Sequence, residues 1–212
     1  MQLLIFDLDG TLIDSALDLA ISVNATRRHM GLAELDLGLI SSYVGDGAPV
    51  LIRRVMGPEA PEETVRAALE FFLSFYRLHA LEHTKLYPGV REALEELYRR
   101  GKILTVLTNK PVRISADILA ALGLGDQLFR VYGGNSFELK KPDPIGVTTL
   151  MSETGIGSAE TMLVGDSHVD MQTARNAGIA ACGVTWGFQT ERMLAEQPDI
   201  VIDDMRQLLD HV

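Results

Sequence analysis

A chain of 212 residues, 47% of them apolar and with a formal charge of −10, can bury a sizeable core and reads as one large domain, or one domain carrying an insertion. The acidic balance argues against a nucleic-acid binder, which needs a basic surface, and the single cysteine, Cys182, excludes an internal disulfide or a cysteine-rich zinc site. No apolar run reaches the roughly 18 residues of a membrane span, and the chain starts into acids at Asp7 and Asp9 rather than into a basic leader. The expectation is a cytoplasmic protein with no membrane and no nucleic-acid partner.

The apolar run at residues 3–6 predicts a fully buried strand that opens into the turn Asp7-Leu-Asp-Gly-Thr. No strand pattern follows between residues 14 and 83. Instead, residues 17–30, 48–56 and 62–79 read as helices. In the last, Val65, Leu69, Phe72, Phe75 and Tyr76 recur at helical spacing behind Pro61 and a first turn rich in acids. From residue 89 onward, helical patterns at 89–100, 112–122, 145–153 and 169–177 alternate with apolar runs at 103–107, 129–132, 161–164, 180–184 and 200–202. That alternation predicts an α/β fold, a parallel sheet with helices on both faces and right-handed crossovers. Residues 1–14 and 84–212 then form the sheet domain, and 15–83 form a helical insertion within it.

Ligands of open parallel sheets sit beyond the carboxyl ends of the strands. Four polar clusters fall there. Asp7 and Asp9 follow the first strand, and Thr108-Asn109-Lys110 follows the second. Lys140-Lys141-Pro-Asp-Pro follows the third, and Gly165-Asp166-Ser167 with Asp170 follows the fourth. A plain Asp/Gly turn accounts for the first cluster, and a helix cap for the last. A calcium loop does not, because Leu12 stands where the sixth-position glycine is required. Read as chemistry, Asp7 and Asp9 are two carboxylates with distinct roles, one a nucleophile and one an acid and base. Asp166 and Asp170 suit Mg²⁺, a hard cation bound through carboxylate and water oxygens. Lys141 brings a point charge able to hold a carboxylate and a phosphate, and the Thr108 hydroxyl can meet a phosphate oxygen. Asn109 fits either this region or a helix cap. Lys140 faces away from the site if the backbone is strand-like. The positive stretch, residues 84–149, has ten basic and seven acidic residues, whereas 150–212 has three basic and ten acidic.

These motifs, in this order and each after an apolar strand, resemble the haloacid dehalogenase-like superfamily of phosphohydrolases, over the whole chain. The resemblance implies a Rossmann-like core with residues 15–83 as a mobile helical cap. It implies Asp7 as the nucleophile that becomes phosphorylated, Asp9 as acid and then base, and Thr108 and Lys141 on the phosphoryl group. Mg²⁺ would be held by Asp7, the Asp9 backbone carbonyl, Asp166 and Asp170. Softer motifs, Asp14-Ser15, Val44-Gly-Asp-Gly-Ala, Tyr87-Pro-Gly-Val, Thr108-Asn-Lys-Pro and Val184-Thr-Trp-Gly-Phe, resemble the phosphoglycolate phosphatase branch. The partner expected is therefore a small phosphorylated metabolite, 2-phosphoglycolate first among them, met by a monomer or weak homodimer. Gly45 and Arg53 of the insertion, with Asn109, are candidate substrate contacts, and Arg54 is one on the same ground as Arg53. A phosphomutase on the same core, a phosphatase of sugar phosphates or pyrophosphate, and a phospho-aspartate receiver are the alternatives; the last lacks a helical insertion after its first strand.

Overall fold

The computed structural model describes residues 1–212. In chain order the elements are β1 (Leu3–Phe6), β2 (Ile13–Asp14), α1 (Ala16–His29), α2 (Leu37–Ser42), α3 (Ala48–Met56), α4 (Glu62–His79), β3 (Lys85–Leu86), α5 (Val90–Arg99), β4 (Ile103–Leu107), α6 (Val112–Ala121), β5 (Leu128–Tyr132), α7 (Ile145–Thr154), β6 (Thr161–Gly165), α8 (His168–Ala177), β7 (Ala180–Val184), α9 (Thr190–Ala195) and β8 (Ile200–Ile202). Six strands form one parallel sheet in the order β5-β4-β1-β6-β7-β8. The chain winds outward from β1 to one edge, then returns to its other side, so β1 borders both halves and its carboxyl end is the topological switch point.

Alternation along each strand divides the core between the two faces. Leu4, Phe6, Leu104, Val106, Met162 and Val164 pack on one side with α5, α6 and the helical insertion, while Leu3, Ile5 and Leu163 pack on the other with α7 and α8. In register, Phe6 lies opposite both Val106 and Val164. The residues that follow these strands therefore emerge level with one another, and the Asp7 N–H continues the ladder by donating to Val164 O at 2.9 Å.

Of the residues that recur at helical spacing in α4, Val65, Phe72 and Tyr76 are buried, and Ala68 completes the buried stripe while Leu69 and Phe75 are half-buried. Phe71 and Phe75 lie off that stripe and stack on His29 and His79. Four elements depart from the sequence expectation. The two-residue strands β2 and β3 pair antiparallel where the chain leaves for the insertion and returns from it. Such a ribbon is too short to carry a period. Helix α2, Leu-Gly-Leu-Ile-Ser-Ser, starts at an Asp36 cap but buries only Ile40, so no apolar stripe announces it. Helix α9 similarly buries only Met193. No helix is long and apolar enough to cross a membrane.

Candidate active site

Three carboxylates meet below the switch point. Asp7, Asp166 and Asp170 are all buried, and one ligand oxygen of each lies within 4.8 Å of the others. Lys141 sits against two of them: its Nζ is 2.5 Å from Asp170 Oδ1 and 2.9 Å from Asp7 Oδ1. Asp170 is also the third residue of α8, where its carboxylate accepts from the Ser167 N–H and hydroxyl in a reciprocal capping box. The cap residue is therefore Ser167, and Asp170 serves both the helix start and the acidic cluster. Asp166 accepts from the Phe188 N–H at 2.7 Å and from the Thr11 hydroxyl at 3.3 Å. Gly10 closes over it: at φ +84° a Cβ there would fall 2.3 Å from Asp166 Oδ2, so only glycine fits.

Desolvation dominates the electrostatics. Burial pushes Asp7 up to about 6, with Lys141 opposing the rise and Asp170 adding to it. Burial, with Asp170 and Asp7 as like charges nearby, drives Asp166 well above the ordinary carboxylate range. Burial alone would lower Lys141, but Asp170 and Asp7 outweigh it and hold the ammonium above its usual value. Despite the nearby lysine, Asp7 Oδ1 is buried without a well-directed hydrogen bond. Three carboxylates against one ammonium leave two negative charges and an unsatisfied oxygen. A divalent, oxygen-seeking cation fits that set.

Asp9 faces a different neighbour. The Lys110 ammonium lies 2.7 and 3.0 Å from the two Asp9 oxygens and 2.5 Å from the Tyr76 hydroxyl of α4. The Ser15 hydroxyl donates to Asp9 Oδ1 at 2.5 Å. Burial disfavours the charge on Lys110, yet Asp9 and Tyr76 together raise it above the usual lysine value, and burial raises Tyr76 to about 12. Lys110 is thus a buried ion-pair partner that the sequence left unassigned, because its two contacts come from the first loop and the insertion.

Above these groups lies a cleft of about 520 Å³, partly open to solvent, between the sheet and the insertion. Asp7, Asp9, Thr108, Asn109 and Lys110 form its polar side; Leu19, Leu51, Phe72 and Tyr76 form its apolar side. Gly45 and Gly47 form the rim, and three successive carbonyls there accept bonds from the sheet domain. Gln189 donates to Val44 O, Asn109 to Gly45 O at 3.0 Å, and Lys140 to Asp46 O. The second Asn109 bond goes to Lys141 O at 3.1 Å, so this amide links the rim to the lysine loop. Lys140 and Lys141 do face apart: one reaches the rim, the other the acids.

Asp7, Asp9, Thr108, Asn109 and Gly45 thus line one cleft, with Lys141, Asp166 and Asp170 gathered about Asp7. Arg53 is not brought there. Its guanidinium is engaged by Ala60 O at 2.7 Å and by Glu62. Arg54 instead pairs with Asp46 at 2.7 Å and donates to Tyr43 O. Both point along the insertion's own surface because α3 turns its apolar face, Leu51, Ile52 and Val55, inward. Sequence reasoning assigns no role of their own at the site to Gln189, Ser167 or Tyr76. Only Ser167 had a local signal, the Ser-x-x-Asp capping pattern.

The model of the family described as haloacid dehalogenase-like hydrolase matches residues 4–184. The chain is 41% identical to a phosphoglycolate phosphatase of Vibrio vulnificus (strain CMCP6), covering 100% of this chain and 96% of that one. It is 39% identical to a phosphoglycolate phosphatase of Pseudomonas syringae pv. tomato, covering 98% of this chain and 78% of that one. Among solved structures, one described as a predicted phosphoglycolate phosphatase from Haemophilus somnus 129pt superposes with a TM-score of 0.94 at 32% identity, covering 100% of this chain and 97% of the other. The chain belongs to the haloacid dehalogenase-like hydrolases. It is an enzyme of their phosphatase type.

Proposed function

We propose that the enzyme hydrolyses the phosphate monoester of a small metabolite, 2-phosphoglycolate, with Mg²⁺ as cofactor and Asp7 as the group that is transiently phosphorylated. The observation that carries this reading is Asp7 itself, a cleft-lining carboxylate beside Lys141 with one buried oxygen left without a hydrogen bond. The phosphoglycolate phosphatases to which the chain is similar support the choice of substrate.

Asp7, Asp166, Asp170 and the Asp9 backbone carbonyl would hold the Mg²⁺, which when bound supplies positive charge against the phosphoryl oxygens. A phosphate charge approaching Asp7 is repelled by about 4 kcal/mol per charge pair at ~4 Å and an effective dielectric near 20. Lys141 offsets that repulsion from the protein side and, with the Thr108 hydroxyl, holds the phosphoryl group. An Asp7 oxygen forms its bond to phosphorus as the ester P–O bond breaks, and Asp9 gives its proton to the departing alkoxide. Asp9 then takes a proton from the water that hydrolyses phospho-Asp7, which returns both carboxylates to their starting states. Asn109 and Gly45 shape the rim over the substrate, and the apolar side of the cleft excludes water. Arg53 has no part in this arrangement.

We place residues 15–83 as the moving cap and residues 1–14 with 84–212 as the fixed core. The β2–β3 ribbon and Asp18, which accepts from the His83 N–H and from the Thr84 N–H and hydroxyl, tie the two crossings together. We place the enzyme in the cytoplasm as a monomer or weak homodimer; the unpaired, buried Cys182 fits the reducing setting. Phosphate release from a panel of monoesters, with and without Mg²⁺, tests the proposal. A marked preference for 2-phosphoglycolate that needs the metal is expected. Equal rates on sugar phosphates would remove the substrate assignment, and sugar-phosphate isomerisation without phosphate release would make the enzyme a mutase.

A further inference from the structure

The site as proposed leaves one buried cation without a task. Lys110 lines the cleft but touches neither Asp7 nor the acids around it. An ammonium has three N–H donors, and here all three are spent: two on the oxygens of Asp9 and one on the Tyr76 hydroxyl. The two partners belong to different parts of the chain. Asp9 lies on the loop after β1, whereas Tyr76 lies on the buried stripe of α4 in the insertion, and the Lys110 ammonium stands 4.5 Å from the centre of its ring. Lys110 itself is fixed to the sheet through β4 and the start of α6, where its N–H donates to the Thr108 hydroxyl at 3.3 Å. Its side chain is therefore the link between the Asp9 carboxylate and helix α4. Ser15 offers Asp9 a second bond, but from the first crossing and not from the closed face of α4.

We propose that Tyr76 and Lys110 are positioning residues that make the aim of the Asp9 carboxylate depend on the insertion being seated over the cleft. With α4 in place, the Tyr76 hydroxyl fixes the Lys110 ammonium, and the ammonium fixes both Asp9 oxygens. With α4 withdrawn, Lys110 loses one of its three partners, and Asp9 is left with a less constrained ammonium and the Ser15 hydroxyl. Proton delivery to a leaving group is then available when the substrate has been enclosed and water excluded. Because Lys110 spends its donors in this way, it is not the receptor for a second anionic group of the substrate.

The inference rests on the reading of Asp9 as the acid of the first chemical step, and the test separates the two. Steady-state kcat/KM is measured with 2-phosphoglycolate, with ethyl phosphate and with p-nitrophenyl phosphate. The alkyl esters need a proton on the leaving oxygen, and the aryl ester departs as a stable anion. Enzymes lacking an aimed acid lose about 10²–10⁴-fold on leaving groups that need a proton. Accordingly, Lys110→Met should lower the alkyl-to-aryl ratio of kcat/KM about 100-fold, and Tyr76→Phe, which keeps the ring packing, about 10-fold. Activity on the aryl ester also reports that each variant is folded. Loss on all three substrates alike would make the contacts merely structural and overturn the inference. Loss confined to 2-phosphoglycolate would make Lys110 a carboxylate receptor and overturn it too. Asp9→Asn is the reference: if it shows the alkyl-aryl split and the other two variants do not, the inference alone falls. If Asp9→Asn lacks the split, the assignment of Asp9 falls and takes the inference with it.

Discussion

Lys141 and Lys110 are both buried, and each is paired with an aspartate of the loop after β1, yet they are held by different things. Lys141 contacts Asp7 and Asp170, and both belong to the sheet domain. Lys110 contacts Asp9 from the same domain but Tyr76 from the insertion. The first pairing is complete whatever the insertion does. The second is complete only when α4 is seated. On the proposed mechanism one wall of the site is therefore permanent, as befits a group that would hold metal and phosphate through the whole reaction. The other, on the same proposal, is assembled, as befits a group whose proton would be useful only to an enclosed substrate.

The largest effect should come from breaking the permanent wall. Lys141→Met leaves Asp7 and Asp170 buried without their cation, a loss of about 3–5 kcal/mol. Thermal melting should show the destabilisation, and phosphatase activity should vanish. If the melting temperature is unchanged, the acids were never held by this lysine. Next, Asp166→Asn removes one of the three clustered carboxylates. The Mg²⁺ concentration for half-maximal activity should rise ~10–100-fold, as read from metal titrations, while the Asp9 wall stays intact. A smaller change falls on the seat of the insertion. Asp18→Asn weakens the bonds that tie residues 83–84 to α1, and denaturant unfolding should show a loss of about 1–3 kcal/mol. Smaller still, Gln189→Ala removes the donor to Val44 O on the rim. It should raise KM by about 3- to 10-fold, equivalent to one hydrogen bond of ~1 kcal/mol, without changing the metal requirement. A shift in the metal requirement would mean that the two walls are not separable. Smallest is Cys182, whose thiol burial pushes up to about 12. Iodoacetamide at pH 8 should leave the folded protein unlabelled and label it only after denaturation.

How much of this was written locally in the chain divides along the same line. Each sheet strand is a short apolar run, and apolar runs bounded by turns are legible one at a time. Asp7 and Asp166 follow directly from strand ends and Asp170 stands in the first turn of the helix after β6, so their meeting needs only the parallel register that aligns Phe6 with Val164 and the capped start of α8. Lys141 was legible through its place in a rigid Pro-containing turn. Lys110 stands in the polar cluster after β4 and Tyr76 in the apolar pattern of α4, and neither segment by itself calls for the other. Their contact arises from the angle at which α4 returns to the sheet, which no single segment encodes. The same is true of Gln189, whose rim contact joins the loop after β7 to the one after α2. Arg53 fails in the opposite sense: its residue type suits an anion, but the rotation of α3 needed to bury Leu51 and Val55 carries it away.

The permanent wall has one chemical signature that nothing else in the molecule can imitate. Rapid acid quench of the Mg²⁺-loaded enzyme during turnover of a phosphate monoester, followed by peptide mass spectrometry, reads where the phosphoryl group rests. Nucleophilic attack by Asp7 predicts an acid-stable, hydroxylamine-sensitive phosphoryl group on the peptide carrying Asp7, and none in Asp7→Asn. Full turnover with no phosphorylated aspartate, or with the label on a different residue, would contradict it.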